Sequence, residues 1–145
     1  MNKGELAAEY FLQGYNCAQA VAVAYAEELG LSRQQAARAV SGFGGGVARQ
    51  REVCGAVSGM VFVYSSLRGY DDPADDAGKK AMYGRIQQLC EAFRSENGSI
   101  VCRELLKNPP SDPNPTPRTA EFYRQRPCAR MVYTAARLLE EALNG

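Results

Sequence analysis

The chain has 145 residues, of which 46% are hydrophobic and 23% are charged, and its net charge is +1. These values are ordinary for a soluble globular protein, and they indicate one domain over residues 1–145 with a sizeable hydrophobic core. The small net charge gives no sign of nucleic-acid binding. No apolar run reaches the ~20 residues that span a bilayer, so we expect no membrane insertion.

The first residues do not form the basic and then apolar pattern of a signal peptide, so we expect a cytoplasmic protein. Cysteines stay reduced in that compartment and more often serve catalysis, redox chemistry or metal binding than structural disulfides. The chain contains no histidine. Cys-His pairs, Ser-His-Asp triads and His-ligated metals are therefore excluded, which leaves thiol chemistry, all-sulfur metal binding, or carboxylate and lysine chemistry.

Helical patterns dominate the first third of the chain. A first helix is predicted over roughly Gly4 to Gln13 and a second over Cys17 to Leu29, each ended by a glycine. Ser32 and Gln35 form a capping box, which predicts a third helix that runs to about Ser41.

The glycine-rich run from Gly42 to Gly46 interrupts the helical pattern. A fourth helix is predicted from about Val53 to Arg68, a fifth from Asp71 to Gly98, and a short sixth over about Ile100 to Leu106. The predicted inner face of the fourth helix contains Val57, Met60, Val61, Tyr64 and Leu67. That of the fifth contains Met82, Ile86, Leu89 and Phe93.

The segment from Lys107 to Arg118 contains five prolines, which predicts an extended surface connection inside one domain. The last helix is predicted from about Pro127 to Leu143, with an inner face of Met131, Ala135, Leu138 and Ala142. We find no convincing strand and no repeat. The sequence therefore predicts an all-α fold, a compact bundle of about six to seven helices.

Four of the five cysteines fall where a helix is predicted to begin: Cys17, Cys54, Cys102 and Cys128. A helix start offers unpaired N–H groups and a partial positive charge, both of which stabilise a thiolate. The spacing contains no Cys-x-x-Cys motif, so only the fold could bring these residues together. Cysteines also commonly fill space in cores, and Cys90, predicted in mid-helix between Ile86 and Phe93, is interpreted that way.

The glycine run before Cys54 has two interpretations. Its backbone, with Gly44, Gly45, Gly46 and Gly55, could approach a cofactor, a thiolate or an oxyanion, or it could form a sharp turn between packed helices. The flanking arginines are Arg49, Arg51 and Arg103. They could lower a thiol pKa or lie in solvent, and solvent is the preferred interpretation for Arg51.

Five segments stand out together: Gly14-Tyr-Asn-Cys17-Ala-Gln, Gly42-Phe-Gly-Gly-Gly46, Val53-Cys54-Gly-Ala-Val-Ser-Gly59, Cys102-Arg-Glu-Leu-Leu106, and Cys128. With these segments the chain resembles, over nearly its whole length, the family of small redox-active proteins named for its C_GCAxxG_C_C motif. The resemblance implies that Cys17, Cys54, Cys102 and Cys128 are the four motif cysteines and that Cys90 lies outside the motif.

Our leading hypothesis is a thiol redox protein in which these four catalytic cysteines converge and Cys54 is the most nucleophilic. The first alternative is that the same four thiolates ligate an iron–sulfur cluster or a zinc ion. The second is a structural or partner-binding helical module. The expected partners are a redox protein or a small-molecule thiol or disulfide, with homodimer formation left open and no nucleic acid.

Overall fold

The computed structural model describes residues 1–145 and contains nine α-helices and one short 3₁₀ helix, without strands. The α-helices are α1 (Lys3–Leu12), α2 (Cys17–Ala24), α3 (Ala26–Leu29), α4 (Arg33–Ala39), α5 (Gly55–Arg68), α6 (Asp76–Asn97), α7 (Cys102–Leu105), α8 (Ala120–Gln125) and α9 (Cys128–Asn144). The 3₁₀ helix covers Ser41–Phe43. The predicted all-α class is confirmed, and no helix is long and apolar enough to cross a membrane.

Helix α2 lies at the centre of the fold and packs against α1, α4, α5 and α9. Its residues after Cys17 are small, and all but Gln19 are buried, so the neighbouring helices approach it closely. Asn16 caps its first turn: the Gln19 N–H donates to Asn16 Oδ1 at 2.9 Å, and the Asn16 N–H donates to Gln19 Oε1 at 3.1 Å. This capping box fixes where α2 begins, and therefore where Cys17 lies.

The predicted count of six to seven helices is wrong, because two features were missed. The predicted second helix breaks at Tyr25, whose φ and ψ are −108° and 12° and whose hydroxyl donates to the Ala136 carbonyl at 3.1 Å. Helix α8 was not predicted at all. The Phe122 N–H donates to Thr119 Oγ1 at 3.1 Å, which is an ordinary N-cap that the sequence contained.

The fifth predicted helix begins later than expected. The Ala74 N–H donates to Asp72 Oδ1 at 2.9 Å, which turns the chain, and Asp75 then caps α6 by accepting from the Gly78 N–H at 2.8 Å. Asp72 therefore serves a turn instead of starting the helix.

The predicted inner faces largely agree with the burial of the side chains. The four residues assigned to the inner face of α9 are all buried: Met131, Ala135, Leu138 and Ala142. In α5 and α6 the assigned residues are buried except for three half-buried ones, Val61, Leu67 and Ile86. The buried Val63 was missed.

We predict that Gly59→Ala destabilises the protein while Gly84→Ala does not. A Cβ at Gly59 would lie 2.9 Å from the Ala18 carbonyl oxygen and 3.1 Å from Val21 Cβ, so α2 and α5 would have to separate. We expect a loss of about 1–3 kcal/mol in the free energy of unfolding, measured in urea.

Gly84 is the matched control, because it lies inside α6 and no atom lies within 4 Å of a Cβ built there. Its replacement by alanine should raise the stability by about 0.5–1 kcal/mol. Equal stabilities for the two variants would contradict this packing of α2 against α5.

Candidate functional site

The four cysteines predicted at helix starts line a single cavity of about 520 Å³. Cys17, Cys102 and Cys128 are the first residues of α2, α7 and α9, and Cys54 immediately precedes α5. The predictions that these cysteines lie at helix starts and lie together are confirmed. The cavity volume falls in the range of about 300–1,000 Å³ that is typical of sites for small molecules.

A short antiparallel pairing brings Cys54 and Cys102 into the cavity. The Cys54 N–H donates to the Ile100 carbonyl at 2.8 Å, and the Cys102 N–H donates to the Glu52 carbonyl at 2.7 Å. The pairing amounts to one isolated bridge, between Val53 and Val101. These backbone hydrogen bonds therefore place side by side two cysteines that are 48 positions apart in the sequence.

The glycine run turns the chain in a left-handed conformation. Gly45 and Gly46 have φ angles of 69° and 70°, and Val47, Ala48 and Arg49 follow with φ between 50° and 65°. Two of these residues donate hydrogen bonds to carbonyls of the glycine run: the Ala48 N–H donates to the Gly42 carbonyl at 2.8 Å, and the Arg49 N–H donates to the Gly44 carbonyl at 3.2 Å. These two amides are therefore satisfied inside the turn. The N–H groups of Gly44, Gly45 and Gly46 donate to no backbone carbonyl, so the expectation that the glycine backbone forms a ligand-binding nest stays a prediction.

Gly44, Gly45, Gly46 and Gly55 all line the cavity. Two of them allow the backbone to pass close to cysteines. A Cβ at Gly46 would lie 2.8 Å from Cys102 Cβ, and a Cβ at Gly55 would lie 3.3 Å from Cys17 Cβ. Their approach to a cofactor stays a prediction.

Arg51 is buried, with 4% of its surface exposed, so the preferred interpretation as a solvated residue is wrong. Its Nε donates to the Pro110 carbonyl at 3.0 Å, and its Nη1 lies 3.7 Å from the Cys102 sulfur. Its Nη2 is buried without a hydrogen-bond partner. Arg103, in contrast, is exposed and pairs with Glu52 at 2.5 Å.

The proline-rich segment 107–118, which we call the proline strap, forms one wall of the cavity. Arg49 holds it there, because its Nε donates to the Asp112 carbonyl at 2.7 Å and its Nη1 donates to Thr116 Oγ1 at 2.8 Å. The strap was predicted as a surface connection only. Its contribution to the cavity depends on arginines some 60 positions away, which local sequence does not reveal.

Two further arginines line the cavity and were missed from the sequence. Arg118 donates to the carbonyls of Phe11 and Tyr15 at 3.0 and 2.9 Å. The Arg126 guanidinium lies 5.2 Å from the centre of the Phe122 ring and forms no ion pair. Arg126 lies two residues before Cys128, and this spacing could have identified it from the sequence as a residue of the site.

Cys128 has the most acidic thiol of the site. Hydrogen bonding from Cys17, and then the positive charges of Arg126, Arg118 and Arg51, lower its pKa to about 7 although burial opposes them. The same interaction with Cys128, together with burial, raises the pKa of Cys17 well above its ordinary value. At neutral pH about half of Cys128 is therefore thiolate, while Cys17 stays protonated.

Cys54 and Cys102 stay protonated instead. Burial raises the pKa of Cys54 to about 12, although the N–H groups of Ala56 and Val57 partly offset it. Burial also raises the pKa of Cys102, against the influence of Arg51. These pKa values argue against the expectation that Cys54 is the most nucleophilic cysteine, because desolvation outweighs the helix start that favours its thiolate.

Cys90 lies outside the cavity, as predicted, on α6. It is half-buried rather than fully buried, and it packs against the edge of the core. Burial raises the pKa of its thiol. Cys90 therefore serves as an internal comparison for the four cavity cysteines.

All five cysteines are free thiols. No three cysteine, aspartate or glutamate side chains surround a common point as metal ligands would. The four cavity thiols thus share a space without a preassembled metal geometry, and their metal-ligand role stays a prediction.

The family model described as "Putative redox-active protein (C_GCAxxG_C_C)" matches residues 15–142, so the chain belongs to this family. The resemblance noted in the sequence is confirmed over nearly the whole chain. No curated protein and no solved structure matches the chain.

We predict that alkylation of Cys128 by iodoacetamide follows a pH profile with a midpoint near 7. The thiolate is the reacting form, so the rate rises as the pH rises through the pKa and then levels off. Cys17→Ala removes the hydrogen bond that favours the thiolate and should move the midpoint towards the ordinary value of about 8.5.

Cys90, with its raised pKa, should be labelled slowly at pH 7 in the same samples. Mass spectrometry of peptides identifies the labelled cysteine. Earlier labelling of Cys90 or Cys54 than of Cys128 would contradict the assignment of the thiolate.

Proposed function

We propose that this protein carries out thiol–disulfide exchange, with Cys128 as the attacking thiolate and Cys17 as the resolving thiol. The observation that carries the proposal is the position of Cys17 and Cys128, which begin α2 and α9 and line one cavity together with four arginines. The lowered pKa of Cys128 supports the same assignment. Membership of a family described as redox-active supports the same conclusion. Cys54 and Cys102 complete the cavity wall as neutral thiols in this proposal.

The exchange proceeds in two balanced steps. The Cys128 thiolate attacks one sulfur of a disulfide, forms a mixed disulfide, and releases the other half as a thiolate. Cys17 then loses its proton to that thiolate or to water, attacks the Cys128 sulfur, and releases the second thiolate. The protein thiols lose two electrons and become a Cys17–Cys128 disulfide, while the substrate disulfide gains the same two electrons.

The pKa values decide between Cys128 and Cys54 as the attacking group. At pH 7 about half of Cys128 is thiolate, against a fraction of about 10⁻⁵ for Cys54, given their pKa values of about 7 and 12. A more basic thiolate is intrinsically more nucleophilic, but this offsets the difference in thiolate fraction by a factor of only about 10²–10³. Attack by Cys128 is therefore favoured by about two orders of magnitude.

We predict that Cys128→Ser lowers the rate of exchange with hydroxyethyl disulfide at pH 7 by about 100-fold, for the reason just given. Cys17→Ser should instead react once and accumulate a mixed disulfide on Cys128, because no resolving thiol remains. Mass spectrometry of the intact protein and of its peptides measures both results.

Cys90→Ser is the matched control and should exchange as fast as the unaltered protein, because Cys90 does not line the cavity. Circular dichroism checks that each variant is folded. Unchanged exchange in folded Cys128→Ser would overturn the proposal.

Metal analysis of anaerobically purified protein tests the alternative of a metal site. Suppose that the protein contains near-stoichiometric iron or zinc, and that Cys54→Ser loses both this metal and thermal stability. That result would favour metal binding over thiol exchange as the function. Exchange chemistry instead predicts a protein without bound metal whose Cys54→Ser variant still reacts at Cys128.

A further inference from the structure

The charges that line the cavity are all of one sign. Four arginines lie in its wall, and none of the sixteen aspartates and glutamates of the chain does. The whole protein carries a net charge of only +1, so this concentration is local. The four arginines are Arg49, Arg51, Arg118 and Arg126.

The fold uses two of these arginines for its own structure. Arg49 holds the proline strap and lies 4.0 Å from the Asp112 carboxylate. Arg118 donates to two carbonyls at the end of α1, and its guanidinium lies 4.4 Å from the centre of the Phe11 ring. Structural roles therefore account for their positions.

The guanidinium groups of the other two arginines are not fully paired within the protein. The Arg126 side chain forms no hydrogen bond or ion pair, and its guanidinium lies 5.2 Å from the centre of the Phe122 ring. Arg51 is buried, pairs with no carboxylate, and keeps one nitrogen, Nη2, without any partner. Buried polar groups are nearly always satisfied, so an orphan guanidinium nitrogen in a cavity wall points to a group that is supplied from outside.

The thiols of the cavity neutralise no more than one of these charges. Burial raises the pKa values of Cys54 and Cys102, which leaves both uncharged at neutral pH. Asp112 balances Arg49, and the Cys128 thiolate balances one further arginine. About two positive charges thus face the cavity without a counter-ion.

We propose that the cavity binds a small disulfide that carries carboxylate groups, which Arg51 and Arg126 hold so that its sulfur atoms meet Cys128. Guanidinium groups pair well with carboxylates, in two parallel hydrogen bonds where the geometry allows. This inference rests on the proposed thiol–disulfide exchange, and it names the substrate class of that reaction. Cys128 displaces one carboxylate-bearing thiolate, and Cys17 releases the other.

Three aliphatic disulfides of similar length test the proposal: dithiodipropionate with two carboxylates, neutral hydroxyethyl disulfide, and cystamine with two ammonium groups. Each rate with the protein is divided by the rate of the same disulfide with mercaptoethanol, which removes differences in intrinsic reactivity. We expect the normalised rate for dithiodipropionate to exceed that for cystamine at least about tenfold. This ratio should fall at high salt, because salt screens the charges of the arginines. Equal normalised rates would overturn the proposal.

Arg126→Gln should lower this preference several-fold, because it removes an unpaired charge without breaking any hydrogen bond. Arg124→Gln is the matched control: Arg124 lies in α8 two residues before Arg126, is exposed, and does not line the cavity. The ratio of two disulfides is used because a change in the pKa of Cys128 affects both rates alike. A preference that survives Arg126→Gln unchanged would contradict the role of Arg126.

A binding measurement separates this inference from the proposed function. Suberate has the shape of dithiodipropionate without its sulfur atoms, and hexanediamine is the corresponding analogue of cystamine. Suberate should slow alkylation of Cys128 by neutral iodoacetamide, and hexanediamine should not.

Protection by suberate without exchange of any disulfide would support the anion site and overturn the exchange function. Exchange without charge preference or protection would support the function and overturn the anion site.

Discussion

The site depends on how closely the backbone from the end of α4 to the first residue of α5 passes the starts of two other helices. A side chain at Gly46 would meet Cys102, and one at Gly55 would meet the Phe43 carbonyl at 3.0 Å and Cys17 at 3.3 Å. Larger residues at these two positions would push α7 and α2 away from α5. The four cysteines come from distant parts of the chain, so this close approach is what gives them one cavity.

The same segment contains strained backbone, whose unfavourable free energy other interactions of the fold have to offset. Val47, Ala48, Arg49 and Arg51 all adopt positive φ, which is unfavourable by about 1–2 kcal/mol per residue for side chains with a Cβ. Hydrogen bonds back to the glycine carbonyls and from Arg49 to the proline strap offset part of it. Strained backbone of this kind concentrates at functional sites, and here it carries two arginines into the cavity wall.

Burial and charge act against each other on the thiols, and their balance differs from one cysteine to the next. All four cavity thiols are desolvated, which disfavours the thiolate. Cys54 has only the first amides of α5 to offset burial, and Cys102 has mainly Arg51. Cys128 has the Cys17 thiol and three guanidiniums, and it alone ends with a lowered pKa. A helix start by itself is therefore insufficient to make a cysteine of this cavity acidic.

The sequence predicted much of this fold, because its signals are local. The capping box at Ser32, and the apolar periodicity of α9, correctly placed the corresponding helices. Helix starts also identified the four cysteines without any information about contacts. The break at Tyr25 was missed because nothing in the neighbouring residues marks it; it coincides with a tertiary hydrogen bond to Ala136.

The charges of the site could not be predicted in the same way. Arg51 is 59 positions from Pro110, the residue of the proline strap that it contacts, and Arg118 is about a hundred positions from the carbonyls that it contacts. Whether an arginine is buried or solvated depends on such long-range contacts. The helix-dipole argument applies to all four cysteines and led to Cys54, whereas the pKa values favour Cys128, which is distinguished by the Cys17 thiol and three arginines together.

The arginines have two consequences for the proposed chemistry, and the two are linked. In the reduced protein they stabilise the Cys128 thiolate, whose charge in turn cancels part of theirs. Oxidation to a Cys17–Cys128 disulfide removes that negative charge and leaves the arginines with one counter-ion fewer. By linkage, anions that bind the cavity must then bind the oxidised protein more tightly than the reduced thiolate form. A bound anion would accordingly favour the disulfide state, so the concentration of an anionic ligand would shift the reduction potential of the pair towards more negative values.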